Sequence, residues 1–301
     1  MKSHYLFKGL YFFYTMSTTV LAIFLTNTPS YFKMNATTDT DNTFPRDSGI
    51  PYVSSDALKE MFHYIAQKDP KLQNIVDSIE VSNAEILLYP VSYDRALFAY
   101  ITAPRQIRKI SEITGCKNLN KLVDELEKTR NFGEGTAIHP VTFGSSKLGY
   151  YDKCYLLRNP NMKVLCEWIK NLFAMAYPKC DTLCLKISRS TYFVTNTDFI
   201  NHMEDLYSIL LLPGKNQPHK PMTSHEFLPE CTVLVAKISI PNNNVDIFLN
   251  AFNDFTIVMK NKVASKGTCV VKMRLIKSEY VQDIDPESII INYVDPLLKN
   301  K

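Results

Sequence analysis

The sequence predicts an α+β fold in which a sheet is covered by helices. Three observations predict it. From Ile138 to Val294, segments of helical spacing interleave with short extended runs. The helical segments place apolar residues on one stripe, as with Val164, Leu165, Trp168, Ile169 and Leu172. The extended runs, such as Cys231 to Ile240 and Cys269 to Lys277, are rich in β-branched residues. No internal repeat of solenoid or propeller period is present.

Taken in order, Leu10 to Thr26 is free of charge and rich in Leu, Phe, Tyr, Val and Ile, with Lys2 and Lys8 ahead of it. This pattern is that of a signal peptide or membrane anchor, and it implies membrane association through residues 10–26. Its length is at the short limit for a spanning helix, and Thr15, Ser17, Thr18 and Thr19 weaken it. A start at Met16 or Met34 is the alternative. Asn27 to Pro51 is polar and aperiodic, as a linker would be. The expected organisation is therefore a hydrophobic segment (1–26), a linker (27–51), a helix and strand region (52–130) and a main domain (131–301).

Within the second region, Ser54 or Ser55 caps a helix carrying Leu58, Phe62 and Ile65. Asp69-Pro70 opens another. Glu85 to Val91 and Ala96 to Thr102 read as strands. Pro104 starts a helix that Gly115 stops, and Leu119, Leu122, Val123 and Leu126 mark the next. In the main domain, strands are expected at Ile138 to Phe143, Thr182 to Ile187, Thr191 to Val194, Cys231 to Ile240 and Cys269 to Lys277. A weaker strand is expected at Ile289 to Val294. Helices are expected at Pro160 to Tyr177, Asp198 to Leu211 and within Val245 to Val258.

The chain has 301 residues, 46% hydrophobic and 21% charged, which is ordinary globular composition. The net charge of +4, with no block of like charge, does not announce a nucleic-acid binder, although a phosphate-bearing ligand needs only a local basic pocket. Seven cysteines cannot all pair within one chain. Cys180 and Cys184 are close, but no second pair completes a zinc site, so no metal is expected. Reduced cysteines point to a reducing compartment, against the reading of the N-terminus. The motifs of P-loop, dinucleotide, Gly-x-Ser-x-Gly and zinc-protease chemistry are absent, and no cofactor is expected.

In a strand, residues i and i+2 share a face, so a His-x-Thr strand presents an imidazole and a hydroxyl together. Two such strands face to face surround a phosphate with a general base, a general acid and two hydroxyls. Phe227-Leu228-Pro229-Glu230-Cys231-Thr232-Val233 resembles the second signature strand of the 2H phosphoesterases, the LigT-like and 2′,5′-phosphodiesterase superfamily, with Glu230 in place of the histidine. Ala137-Ile138-His139-Pro140-Val141-Thr142-Phe143 is the best candidate for the first strand, with the His-Pro order reversed. Cys269 to Ser278 resembles a late strand of that family. The resemblance implies a bilobal fold of antiparallel sheets covered by helices, here with extra N-terminal helices. It implies Thr142 and Thr232 as substrate-binding hydroxyls, and Glu230 and His139 as the remaining acid–base candidates.

Glu230 is ionised at neutral pH unless buried, so it accepts a proton but does not readily give one. The implied function is that of a degenerate phosphodiesterase that binds a nucleotide or short RNA phosphodiester with little or no hydrolysis. His219 and His225 are the possible stand-ins. The alternative is an anchored or secreted module that binds a protein partner. Tyr150, Tyr151 and Tyr155 beside Lys153 and Arg158 either stack a base and contact phosphate or form a half-buried strand. Trp168, on a helix stripe, is expected in the core.

Overall fold

The computed structural model describes residues 16–30, 44–141, 144–204, 207–211, 223–260 and 268–296. Its first strand is β1 (Ser17–Thr26), followed by a small hairpin of β2 (Arg46–Asp47) and β3 (Ile50–Pro51). Ser54 Oγ accepts the Ala57 amide at 3.2 Å and opens α1 (Ser55–Ala66). Asp69 caps α2 (Pro70–Ser78), which begins on its proline. Then come β4 (Glu80–Val81), β5 (Glu85–Tyr93) and β6 (Ala96–Thr102). Helix α3 (Pro104–Thr114) ends at Gly115, whose φ of 78° turns the backbone so that its N–H donates to Ser111 O at 2.8 Å. Helix α4 (Asn118–Glu127) leads to β7 (Thr136–His139), β8 (Gly144–Leu148) and β9 (Tyr151–Arg158).

Helices α5 (Asn161–Ala176) and α6 (Asp181–Arg189) precede β10 (Thr191–Val194) and α7 (Asn196–Glu204). Strands β11 (Tyr207–Leu211) and β12 (Thr223–Phe227) pair with each other in a two-stranded arm. The chain finishes with β13 (Val233–Pro241), α8 (Val245–Phe252), β14 (Phe255–Lys260) and β15 (Thr268–Lys277). Residues 281–296 are largely irregular and lie over α4 and α5. Asn118 and Asn161 donate to the carbonyls of Ile284 and Ile290, each at 2.8 Å, and Trp168 Nε1 donates to Gln282 O at 3.0 Å.

The main sheet runs β14-β15-β1-β13-β5-β6-β10-β7-β9-β8, with β4 also on β13. Strand β1 is antiparallel to both β13 and β15, with Ala22 opposite Ala236 on one side and Leu275 on the other. With α1 between β1 and β5 in sequence, and α8 after β13, the order β15-β1-β13-β5 is the split βαβ arrangement of ferredoxin-like sheets. Beyond it the sheet curls. Strand β8 returns to β5 at Leu148 opposite Tyr93, so β5, β6, β10, β7, β9 and β8 close a six-stranded barrel. The β6–β10 and β7–β9 pairs are parallel.

Both faces of the sheet are covered. Val20, Ala22 and Phe24 belong to a core with Leu58, Phe62, Phe248 and Phe252, which extends into the barrel through Ile101, Leu156 and Tyr192. Leu21, Ile23 and Leu25 face the other core, with Ile107, Leu122, Ile169, Phe173 and Ile187 of helices α3 to α6. A strand buried on both faces reads as a continuous apolar run.

That corrects the expected anchor. Residues 17–26 are the middle of a sheet; residues 1–15 lie outside the described part. No helix among the described residues is long and apolar enough to cross a membrane. The expected division at residue 130 is crossed by the same sheet, since β13 and β15 flank β1. The α+β class holds, with one continuous sheet and barrel in place of two facing lobes. The two supposed signature strands, β7 and β13, are separated within that sheet by β5, β6 and β10. Thr182 to Ile187 is helical, the helix starting near Asp198 ends at Glu204, and 289–294 is not a strand.

Phe24 is fully buried. Truncation by Phe24→Ala is expected to cost about 3–5 kcal/mol in urea denaturation of the full chain. A cost below about 0.5 kcal/mol, the level of a surface change, would contradict a central position for β1.

Candidate nucleic-acid interface

The expected catalytic strands come first. Thr232 closes a tight turn, Pro229 to Thr232, in which Cys231 has a φ of 66°. Its side chain is buried, and its Oγ1 donates to Pro229 O at 2.8 Å. Its amide donates to Thr26 Oγ1 at 2.9 Å, and the Cys231 amide donates to Thr26 O at 2.7 Å. Tyr100 Oη donates to Cys231 O at 3.0 Å. The Thr232 hydroxyl thus closes the turn on itself, the Thr232 and Cys231 amides hold that turn to Thr26 at the end of β1, and the hydroxyl lines no cleft. Glu230 is exposed at the tip of the turn. Thr142 and His219 lie outside the described residues, and His225 is described only as part of the backbone of β12.

His139 seals one end of the barrel. It is buried, and its ring stacks on Tyr192 at 4.8 Å between centroids. Tyr192 Oη and Tyr93 Oη are 2.7 Å apart beside it. Nδ1 accepts the Val141 amide at 3.3 Å, so Nε2 carries the proton and donates to Arg189 O at 3.1 Å. Burial pushes its pKa down, opposed by the bond to that carbonyl, and the ring stays neutral. A neutral imidazole with both nitrogens bound to backbone is a plug rather than a proton shuttle. Pro140 turns the chain away directly after it.

A second polar cluster braces the neighbouring loop. Asp198 is fully buried, accepts the Tyr151 hydroxyl, and accepts the Gly135 amide at 3.2 Å. It ties α7 to β9 and to the loop before β7. Tyr150 and Tyr151 pack on His202, at 4.6 and 5.9 Å between centroids. His202 Nε2 is buried with no hydrogen-bond partner among the described residues. Desolvation pushes its pKa down to about 4, with the Asp198 charge opposing. The ring lies so close to Gly149 that a Cβ there would fall 2.0 Å from Cε1, and the φ of 60° also demands glycine.

What remains at the surface is the outer face of β8 and β9. Thr136, Tyr155 and Ser145 lie in one row across β7, β9 and β8. Leu157 and Ile138 on this face are covered by helices, but the helical layer stops before Tyr155, which is 53% exposed. Lys153, two residues earlier and so on the same face, holds its Nζ 5.2 Å from the Tyr155 ring centroid. These two side chains, with Asn131, Thr136, Gly144 and Ser145, line a groove of about 480 Å³. Arg95 donates to Ser145 O at 3.1 Å, and Lys147 lies on the same ribbon, paired with Asp152 at 3.1 Å.

A ring open on one face, beside ammonium and guanidinium groups, suits a base and its phosphate. A larger groove of about 770 Å³ beside α5 is bordered by Glu167, Asp283 and Asp285, which repel phosphate. The tyrosine–lysine cluster visible in the sequence therefore divides. Tyr155 and Lys153 line this groove, whereas Tyr150, itself half exposed, and Tyr151 pack on His202. Arg95 was missed, since nothing in the sequence brings the β5–β6 turn to β8.

No protein-family model and no curated protein sequence matches the chain. Solved structures do. The crystal structure of oligomeric Cmr4 from Pyrococcus furiosus is similar with a TM-score of 0.62 and 17% identity, over 87% of this chain and 99% of that one. Another crystal structure of Cmr4 is similar with a TM-score of 0.60 and 18% identity, over 86% and 99%. The Type III-B Cmr-beta bound to cognate target RNA contains a chain similar with a TM-score of 0.59 and 12% identity, over 88% and 98%. The fold is thus that of Cmr4 (Cas7). This overturns the 2H phosphoesterase resemblance and the degenerate-phosphodiesterase function drawn from it. The short string around Thr232 that carried the resemblance is a buried turn against β1.

Because His139 and His202 have folded-state pKa values below the ordinary histidine value, the unfolded chain binds protons more readily. The stabilisation from His202 is complete above about pH 6.5 and is lost as the pH falls through about 4, and that from His139 is lost in the same direction. The melting temperature of the wild type is expected to drop over this window, and that of His202→Phe to drop less. Identical pH profiles would contradict a neutral, buried His202.

Proposed function

We propose that the chain is an RNA-binding subunit of a type III CRISPR effector assembly, and that the Lys153–Tyr155 groove contacts the RNA. The observation that carries the reading is the match over nearly the full length of Cmr4, with one such chain seen in an assembly bound to cognate target RNA. The groove supports it independently. A net charge of +4 gives weak long-range attraction, so affinity rests on local cations and on stacking. Both faces of the central sheet are occupied by core, so RNA is met at the barrel margin, where Tyr155 emerges beyond the helices. Protein partners follow from the same reading, since the matched chain belongs to an assembly.

The test is anisotropy of labelled single-stranded RNA against the purified chain over a salt series. Tyr155→Ala is expected to cost about 1–3 kcal/mol, roughly 5- to 150-fold in affinity, with Tyr155→Phe close to wild type. Lys153→Ala is expected to lower the slope of log affinity against log salt by about 0.7. Wild-type affinity in both truncations would move the RNA away from this groove. No binding by the wild type would defeat the RNA reading itself.

A further inference from the structure

We propose that Arg105 and Lys109 form a second phosphate-binding position for the RNA strand, and that the Asp47 carboxylate fills it as an internal stand-in until RNA displaces it. This inference rests on the RNA-binding reading above and deepens it. The two cations are four residues apart on α3 and so share one face. Asp47, in the β2–β3 hairpin, spans them. One of its oxygens is 2.6 Å from Arg105 and the other is 2.8 Å from Lys109. A phosphodiester offers its two free oxygens in the same way. The bonds from Lys109 and then Arg105 hold the Asp47 carboxyl down at about 2, so it is charged at any physiological pH. Lys109 has a second carboxylate partner, Glu85, at 3.0 Å. The two carboxylates differ in their access to water. The Glu85 side chain is 10% exposed and that of Asp47 is 44% exposed. Glu85 is therefore the permanent partner, and Asp47 is the one that an anion from solvent can replace. The hairpin that carries Asp47 has two residues in each strand and forms a sheet of its own, an arrangement with little stability by itself.

The topology sets this position beside the Tyr155 groove. Strands β6 and β10 are parallel, and each runs at its carboxyl end into a helix, α3 and α7. The space outside the carboxyl ends of such strands is where sheets of this kind take ligands. Asn196, at the start of α7, accepts the Arg105 amide on Oδ1 at 3.0 Å. Strand β7 is antiparallel to β10 and parallel to β9, so Gly135 and Tyr155 lie at that same end of the sheet. Gly135 O accepts the Tyr155 amide at 3.0 Å. From β6 to β9 is three strand spacings, roughly 15 Å. One RNA strand stacked at Tyr155 can therefore lay a phosphate between Arg105 and Lys109. That phosphate takes over both contacts and releases Asp47 to water.

Anisotropy of labelled single-stranded RNA on the full chain, over a salt series, tests this. Asp47→Asn removes the competing charge and uncovers one net cation, since Glu85 still offsets Lys109. It is expected to bind RNA about 2- to 10-fold more tightly than the wild type. The slope of log affinity against log salt is expected to steepen by about 0.7. Adding Arg105→Gln to Asp47→Asn is expected to cancel both the gain and the added slope. Asp77→Asn removes the same charge from α2, where Asp77 is 68% exposed, and is expected to change little. An equal gain from Asp77→Asn, or a gain that survives Arg105→Gln, would be an effect of bulk charge and would overturn the proposal. If Asp47→Asn binds RNA as the wild type does, the proposal falls and the RNA reading stands. If no form of the chain binds RNA, the RNA reading fails and takes the proposal with it. Asp47→Ser is the second variant should Asp47→Asn fail to fold. Loss of the native circular dichroism in both would make Asp47 a structural anchor and would also overturn the proposal.

Discussion

The burial of β1 on both faces is the constraint from which the rest of the molecule follows. Six successive apolar residues, Val20 to Leu25, leave no polar face to turn to water. Helices must therefore lie on both sides of the sheet, α1 and α8 on one and α3 to α6 on the other. A four-stranded sheet in the ferredoxin-like order can leave one face open as a platform for bases. Here that face is filled by Ile169, Phe173 and their neighbours, and contact with a nucleic acid is displaced to where the sheet leaves the helices behind.

The barrel supplies that place. Curling the sheet through β10, β7 and β9 sends Tyr155 and Lys153 past the edge of the helical layer while Cys154 between them and Leu156 after them stay in the core. The interior is held by polar groups whose partners are mostly backbone. His139 is fixed by Arg189 O and the Val141 amide, and Asp198 by Tyr151 and the Gly135 amide. Buried polar groups of this kind specify one arrangement of the strands, because any slip leaves them unpaired. The histidine that looked catalytic in the sequence has this structural task, and the threonine that looked like a phosphate ligand has a similar one at the end of β1.

Much of the fold was legible in local patterns. Capping by Ser54 and Asp69, the proline start and glycine stop of α3, and the stripe on α5 all act within a few residues, and each appears where the sequence put it. What failed depended on distant parts of the chain. The apolar run of β1 is the same whether lipid or two helical layers cover it. Thr182 to Ile187 has strand-forming residues, yet packs beside α5 as a helix. Strand β8 was not read, because its Gly-Ser-Ser-Lys run is short and polar, whereas β9 stood as one of the two readings of the tyrosine cluster, a half-buried strand. For the site, Tyr155 and Lys153 were noticed as a pair, but their separation from Tyr150 and Tyr151 depends on the buried Asp198 and His202. The string around Thr232 misled because a short match carries no information on burial.

The pairing of β1 has a consequence for biogenesis. Its two partners begin at Val233 and Thr268, so a ribosome must make most of the polypeptide before this hydrophobic ribbon is covered on either edge. Until then the nascent chain carries an unpaired, aggregation-prone segment. Completion of the sheet is a late, long-range event with a large loop to close, the kind of topology that folds slowly.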